Sequence, residues 1–164
     1  MKEARVRKVV RERYARIAKN ECSCCASPEV KKSSLEIGYT DQELGSVPEG
    51  ADLGLGCGNP VALASLKKGE TVLDLGSGGG LDSFLAANKV GATGRVIGVD
   101  MTPEMIDRAR RNASKEKYRN VEFRLGEIEN LPVADSSVDA ILSNCVINLS
   151  LDKGRVFKEA FRVL

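Results

Sequence analysis

Val6, Val9, Val10, Tyr14 and Ile17 recur three and four positions apart, with charges filling the positions between. That is the spacing of an amphipathic helix. From Gly69 the texture changes to alternating units. Thr71–Leu75, Arg95–Val99, Val121–Leu125 and Val138–Ser143 are short, nearly unbroken apolar runs of strand length. Between them, Leu81–Val90 reads as a helix stopped by Gly91. Another helix starts at Pro103, with Thr102 as its cap, Glu104 in its first turn, and Met105, Ile106, Ala109 and Ala113 facing inward. Asp152–Val163 reads as a last helix. Strands that are apolar throughout and alternate with helices predict an α/β fold: a parallel, doubly wound sheet of about four strands, preceded by a helix.

Two stretches break this rhythm. Residues 20–60 are rich in Ser, Cys, Gly and Pro, with Ser27-Pro28, Val47-Pro48-Glu49-Gly50 and Gly54-Leu55-Gly56-Cys57-Gly58-Asn59-Pro60. An irregular segment of that length points to function more than to connection. At the other end, Phe161-Arg162-Val163-Leu164 is an apolar finish, and Ala140-Ile141-Leu142 is too apolar for an open edge strand. We therefore expect a sheet that is incomplete in this chain, or an edge covered by a partner or by self-association.

Composition narrows the chemistry. The 164 residues include 25 Lys/Arg, 23 Asp/Glu, five Cys and no His, and 42% are hydrophobic, enough for a core. Without histidine there is no Ser-His-Asp triad, no Cys-His pair and no His-ligated metal. A net charge of +2 gives no general case for nucleic acid. Residues 1–20 hold eight Lys/Arg against two Glu, a local +6, which reads as a solvated helix face. No secretory signal and no apolar run of about 18 residues is present, so neither export nor membrane insertion is expected. The expectation is a cytoplasmic protein with reduced thiols.

The strongest motif is the turn after the first strand, Asp74-Leu75-Gly76-Ser77-Gly78-Gly79-Gly80. It fits G-x-G-x-G, whereas the dinucleotide pattern G-x-G-x-x-G would need glycine at Leu81. Asp100 closes the second strand, placed to hold ribose hydroxyls. Gly126-Glu127-Ile128-Glu129-Asn130-Leu131-Pro132 follows the third strand. Together these three elements resemble the class I S-adenosylmethionine-dependent methyltransferases. The resemblance implies a Rossmann-like fold, with residues 61–164 binding S-adenosylmethionine and residues 1–60 capping the site. It puts Asp74, Gly76, Ser77, Gly78 and Gly80 at the methionine end, Asp100 on the ribose, and Met101, Glu127 and Ile128 at the adenine. Asn144 also falls at the cofactor, as does Tyr14 from the first helix. An acidic pocket suits the cofactor's sulfonium and ammonium.

The cysteines select the acceptor. Cys57 lies in its glycine-rich motif, and Cys145 lies in Ser143-Asn144-Cys145-Val146-Ile147-Asn148-Leu149 after the fourth strand. No histidine or evident carboxylate is there to act as general base. These motifs resemble those of the arsenite methyltransferases. The family implies that Cys57 and Cys145 grip trivalent arsenic as thiolates, which suit a soft ion. The arsenic lone pair then attacks the methyl group without proton removal. It further implies arsenite presented as a thiol conjugate, a small-thiol or thioredoxin-type reductant, and a redox cysteine among Cys22, Cys24 and Cys25. A further family cysteine falls beyond Leu164, so this chain is expected to have little activity alone. No resident metal is expected, although Cys22, Cys24, Cys25 and Cys57 could form a zinc site. The alternatives are a methyltransferase for a small organic acceptor such as a quinone precursor, and a non-catalytic thiol-based metalloid-binding protein.

Overall fold

Two strands of unbroken apolar residues set the architecture. Val72, Leu73, Leu75, Val96, Ile97 and Val99 are all at most 3% exposed. Burying each such side chain is worth roughly 1.5–3 kcal/mol, which is why these runs occupy the sheet centre. The computed structural model describes residues 2–19 and 28–164. Helix α1 (Lys2–Lys19) is followed by α2 (Pro28–Glu36), α3 (Asp41–Gly45) and α4 (Pro60–Leu63). Then come β1 (Thr71–Leu75), α5 (Leu81–Val90), β2 (Arg95–Asp100), α6 (Pro103–Lys115) and β3 (Val121–Leu125). Strand β4 (Ala140–Ser143), a 3₁₀ turn at Ile147–Leu149 and α7 (Lys153–Val163) complete the order. Cys22, Cys24 and Cys25 lie outside the described residues.

The strands run parallel in the order β3-β2-β1-β4. Leu75 stands beside Val99 on one side and Ser143 on the other, and Asp100 beside Leu125. All four carboxyl ends therefore share one rim. The order reverses between β1 and β4, and open α/β sheets bind ligands at that point. Two apolar layers flank the sheet. On one face Val72, Val96 and Leu142 meet Leu85, Ala86 and Val90 of α5, while Phe123 meets Ile106 and Ala109 of α6. On the other, Leu73, Leu75, Ile97 and Val99 meet Val156 and Val163 of α7.

Several expectations shift. Strand β4 begins at Ala140, not Val138, because the N–H groups of Ser137 and Val138 both donate to the Val163 carbonyl at the end of α7. Thr102 starts α6 through its backbone, its carbonyl accepting from Met105 and Ile106, without a side-chain capping bond. Its hydroxyl turns to Asp100. On α1 the apolar stripe is narrower than its periodicity: Val6 and Val9 are 42% and 59% exposed, while Val10, Tyr14 and Ile17 are half-buried. The basic face of α1 is also not merely solvated. Arg7 and Arg11 both pair with Glu127, and Lys19 pairs with Glu104. Among the described residues no helix is long and apolar enough to cross a membrane.

Candidate active site

The turn from β1 into α5 is built around residues with no room for a side chain. Gly76 holds φ +71°, and a Cβ there would lie 2.6 Å from Val146. Its N–H and that of Ser77 both donate to the Val99 carbonyl, at 2.8 and 3.0 Å, which folds the loop back over β2. Gly80 (φ +98°) precedes α5, where a Cβ would meet Phe84 at 2.6 Å and Phe123 at 2.9 Å. Asp100, at the end of β2, accepts from Gly78 N–H at 3.1 Å and Thr102 N–H at 2.8 Å. Burial nevertheless raises its pKa, against those bonds.

Two hollows open on this rim. The larger, about 110 Å³, is lined by Tyr14 and Val10 of α1, Asp100, Met101, Ile128 and Cys145, among others. The smaller, about 80 Å³, is lined by Asp52, Ser77 and Asp82 among others. Leu55, Gly76, Gly78 and Asn144 border both, so the hollows are two lobes of one cleft at the reversal point. Ser77 Oγ is buried in the smaller lobe without a hydrogen-bond partner. A buried polar atom normally has a partner, so this one is free for a ligand.

Carboxylates dominate behind the smaller lobe. Asp74 is 2% exposed and accepts from Ser83 Oγ at 2.6 Å. Burial, reinforced by the negative charge of Asp82, raises its pKa to about 7. Asp82 is also raised by burial, against hydrogen bonds from Tyr39 and Asn144 that favour its charged form. Burial beside Asp82 holds the Tyr39 hydroxyl far above its ordinary pKa, so it stays a donor. A cation entering this lobe would relieve the crowded negative charge.

Cys57 meets Cys145, which lines the larger lobe. Their Cα atoms are 6.1 Å apart and their sulfurs are in direct contact. The Cys57 loop approaches the end of β4 within the Cα spacing of about 4.4–6.8 Å that a disulfide spans, so the two thiols can be closed by oxidation. Cys145 itself holds φ +59°. Left-handed backbone is costly for a residue with a Cβ and clusters at functional sites.

The matches to known proteins bear on this cleft. A family model described as a methyltransferase domain matches residues 66–164, more than half of the chain. The chain belongs to that methyltransferase family. It is 55% identical to the arsenite methyltransferase of Halobacterium salinarum over 172 aligned residues, covering 96% of this chain and 44% of that protein. It is 48% identical to the arsenite methyltransferase of Aquipseudomonas alcaligenes over 116 residues, covering 66% of this chain and 33% of that protein. In three dimensions it resembles an arsenic(III) S-adenosylmethionine methyltransferase from Chlamydomonas reinhardtii, with a TM-score of 0.62 and 40% identity. That match covers 84% of this chain and 45% of that one. The chain thus spans less than half the length of these relatives.

The Chlamydomonas relative is an S-adenosylmethionine methyltransferase, and the residues of this cleft fit that molecule. Ser77 Oγ awaits a partner, the glycine loop leaves room for close backbone approach, and the carboxylates suit a cation. The methyltransferase cleft places the residues expected from sequence as follows. Tyr14, Gly76, Gly78, Asp100, Met101, Ile128, Asn144 and Cys145 line the larger lobe, and Ser77 the smaller. Asp74 and Gly80 stand behind the wall, Asp74 bonded to α5 and Gly80 against two phenylalanines. Glu127 pairs with Arg7 and Arg11 without lining the lobe, and it is Glu129, also within 3.7 Å of Arg7, that borders the larger lobe. Sequence reasoning missed Tyr39, Asp82 and Asp52. Asp82 has the signature of an ordinary first-turn acid, and nothing near Tyr39 marks it.

Proposed function

We propose that this methyltransferase chain carries the cofactor cleft and two of the thiol ligands of an enzyme that methylates trivalent arsenic. The observation that carries the reading is the convergence of Cys57, from 88 positions away, on Cys145, which lines the cleft together with Gly76, Asp100 and Asn144. Reduced, this pair offers two soft donors to one soft ion. S-adenosylmethionine supplies, when bound, a methyl group on a sulfonium sulfur. Asp100 would hold the ribose, Met101 and Ile128 the adenine, and Ser77 with the nearby carboxylates the polar methionine end.

The chemistry of the acceptor agrees with the residues present. An oxygen or nitrogen acceptor gives up a proton and commonly needs a base near neutral pKa. The chain has no histidine, and its raised carboxyls are engaged: Asp74 accepts from Ser83, Asp82 from Tyr39 and Asn144, and Asp100 from the Gly78 and Thr102 amides. Trivalent arsenic held by thiolates presents a lone pair and has no proton to lose. Arsenic binds this pair only as thiolates, so a pair closed by oxidation must first be reduced, which fits an external thiol reductant as partner. Fixing both reactants in one cleft then lowers the barrier chiefly through proximity.

The test is incubation of the full-length protein with labelled S-adenosylmethionine, arsenite and excess glutathione, followed by separation of arsenic species. Label in methylated arsenic is expected, abolished by Cys145→Ser. Label in a quinol acceptor with none in arsenic would overturn the proposal.

A further inference from the structure

A second network, one member of which follows the glycine loop directly, holds the thiol pair in register. Asn144, immediately before Cys145, accepts at Oδ1 from the Cys57 backbone N–H at 3.0 Å. Its Nδ2 group lies 2.9 Å from the Gly58 carbonyl, 3.0 Å from Asp82 Oδ2 and 3.1 Å from Tyr39 Oη. Asp82 Oδ1 in turn accepts from the Tyr39 hydroxyl at 2.7 Å. Tyr39 and Asp82 are 3% and 8% exposed. Gly56 completes the fit, because a Cβ there would lie 2.9 Å from Asn144 Nδ2. One amide thus clips the loop on both sides of Cys57.

Which way that amide points decides whether the clip works. An asparagine rotated end for end would present NH₂ to the Cys57 N–H, two donors facing each other. An ionised carboxylate only accepts, so Asp82 compels Asn144 to direct Nδ2 inward and Oδ1 toward Cys57. Tyr39 occupies the other carboxylate oxygen and keeps Asp82 from turning away. Hydrogen bonds to a charged acceptor are the stronger kind, and inside a buried network they fix one arrangement.

We infer that Asp82 and Tyr39 are positioning residues: through Asn144 they set the approach of Cys57 to Cys145 and so govern how tightly the pair grips a thiophilic ion. The inference rests on the proposed function only for the identity of that ion, arsenic(III). The geometry of the pair is testable without arsenic and without cofactor.

The experiment is equilibration of the protein in glutathione buffers, reading the Cys57–Cys145 bond by peptide mass. Two thiols lose their protons and two electrons to form one S–S bond. Glutathione disulfide takes up both and becomes two glutathiones. Asp82→Asn should lower the equilibrium constant for closing the bond about tenfold, and Tyr39→Phe about three- to tenfold. Ser83→Ala removes an equally buried hydroxyl from the same helix, bonded to Asp74 and not to this network. It should leave the constant within about twofold. Thermal unfolding of each variant confirms that the measurement is made on folded protein, and if Asp82→Asn does not fold, Tyr39→Phe decides. Unchanged constants in the folded variants overturn the inference. So does an equal fall in Ser83→Ala, which would mean general loosening. Arsenite affinity of the reduced proteins should fall in the same order. A fall in the redox constant with no arsenite methylation by the full-length protein would leave the positioning intact and sink the arsenic reading instead.

Discussion

Arg108 of α6 donates from Nη1 to the carbonyl of Ala18, 90 positions earlier in the chain, at 3.1 Å. The same guanidinium donates from Nε to the Gly50 carbonyl at 2.9 Å. One buried cation thus satisfies the carbonyl-bearing end of α1 and the loop before the cleft. That joint places Val10 and Tyr14 of α1 over the larger lobe.

Replacing Arg108 by Ala should therefore cost on the order of 2–4 kcal/mol, since two buried carbonyls lose charged donors. Arg108→Lys should recover less than half, because a single ammonium cannot reach both carbonyls with the planar fork. Urea unfolding measures both. A loss below about 0.5 kcal/mol in the alanine variant would show that α1 is held by other contacts.

Gly76 and Gly78 separate conformational strain from steric exclusion. Both have positive φ, but a Cβ on Gly78 meets nothing within 4 Å, whereas one on Gly76 would lie 2.6 Å from Val146. Gly78→Ala should cost about 1 kcal/mol of stability, the ordinary penalty of left-handed backbone. Gly76→Ala should cost at least about twice that, because Val146 is held beside Cys145 and cannot withdraw without moving it. Thermal unfolding of the two variants side by side decides. Equal losses would mean that the loop relaxes around the added methyl.

Much of this was legible in the sequence, for a definable reason. Strands such as Val72–Leu75 and Val96–Val99 are buried on both faces, so their apolar runs declare them, and the glycine turn and Asp100 fall where the strands end. The sheet order then follows from parallel connections. What stayed hidden depends on contacts distant in the chain. Asp82 is one acid in a helix first turn until Tyr39 and Asn144 arrive from 43 and 62 positions away. Likewise Glu127 is indistinguishable from Glu129 by sequence; Arg7 of α1 reaches both, but only Glu127 also pairs with Arg11 and only Glu129 borders the lobe. The exposure of Val9 had no signal at all, since periodicity marks a stripe and not its partner.

Asp74 predicts a trade between stability and ligand affinity. Its pKa in the folded chain is raised to about 7 from an ordinary 3.8, with burial as the main cause and Asp82 next. The folded state therefore holds a proton that the unfolded chain releases, and stability falls as pH rises from about 4 to about 7. Asp74→Asn keeps an acceptor for Ser83 Oγ and removes that cost. It should be more stable than the parent at pH 8, on the order of 2 kcal/mol, and no more stable at pH 4. A cationic ligand favours the ionised carboxyl, so S-adenosylmethionine affinity of the parent should rise between pH 6 and 8 and that of Asp74→Asn should not. Calorimetric titrations across that range measure it, and parallel pH profiles would remove Asp74 from the binding of the cofactor.

The thiol pair makes the last prediction, and its sign depends on redox state. Joined as a disulfide, Cys57 and Cys145 offer no thiolate, so the oxidised protein should bind arsenite at this site not at all. Reduced, the two sulfurs are held close by the Asn144 clip, and binding through both should be tighter than through either alone by the effective concentration of the second, a factor of about 10² or more. Cys57→Ser and Cys145→Ser should therefore each lose about 10²-fold in arsenite affinity, leaving single-thiol binding, and the double variant should lose thiol-dependent binding at this site altogether. Titration of the reduced proteins with arsenite reads this directly. Single variants that keep the parent's affinity at half its stoichiometry would mean that the two cysteines bind arsenic separately and that their meeting beside the cleft is a packing contact.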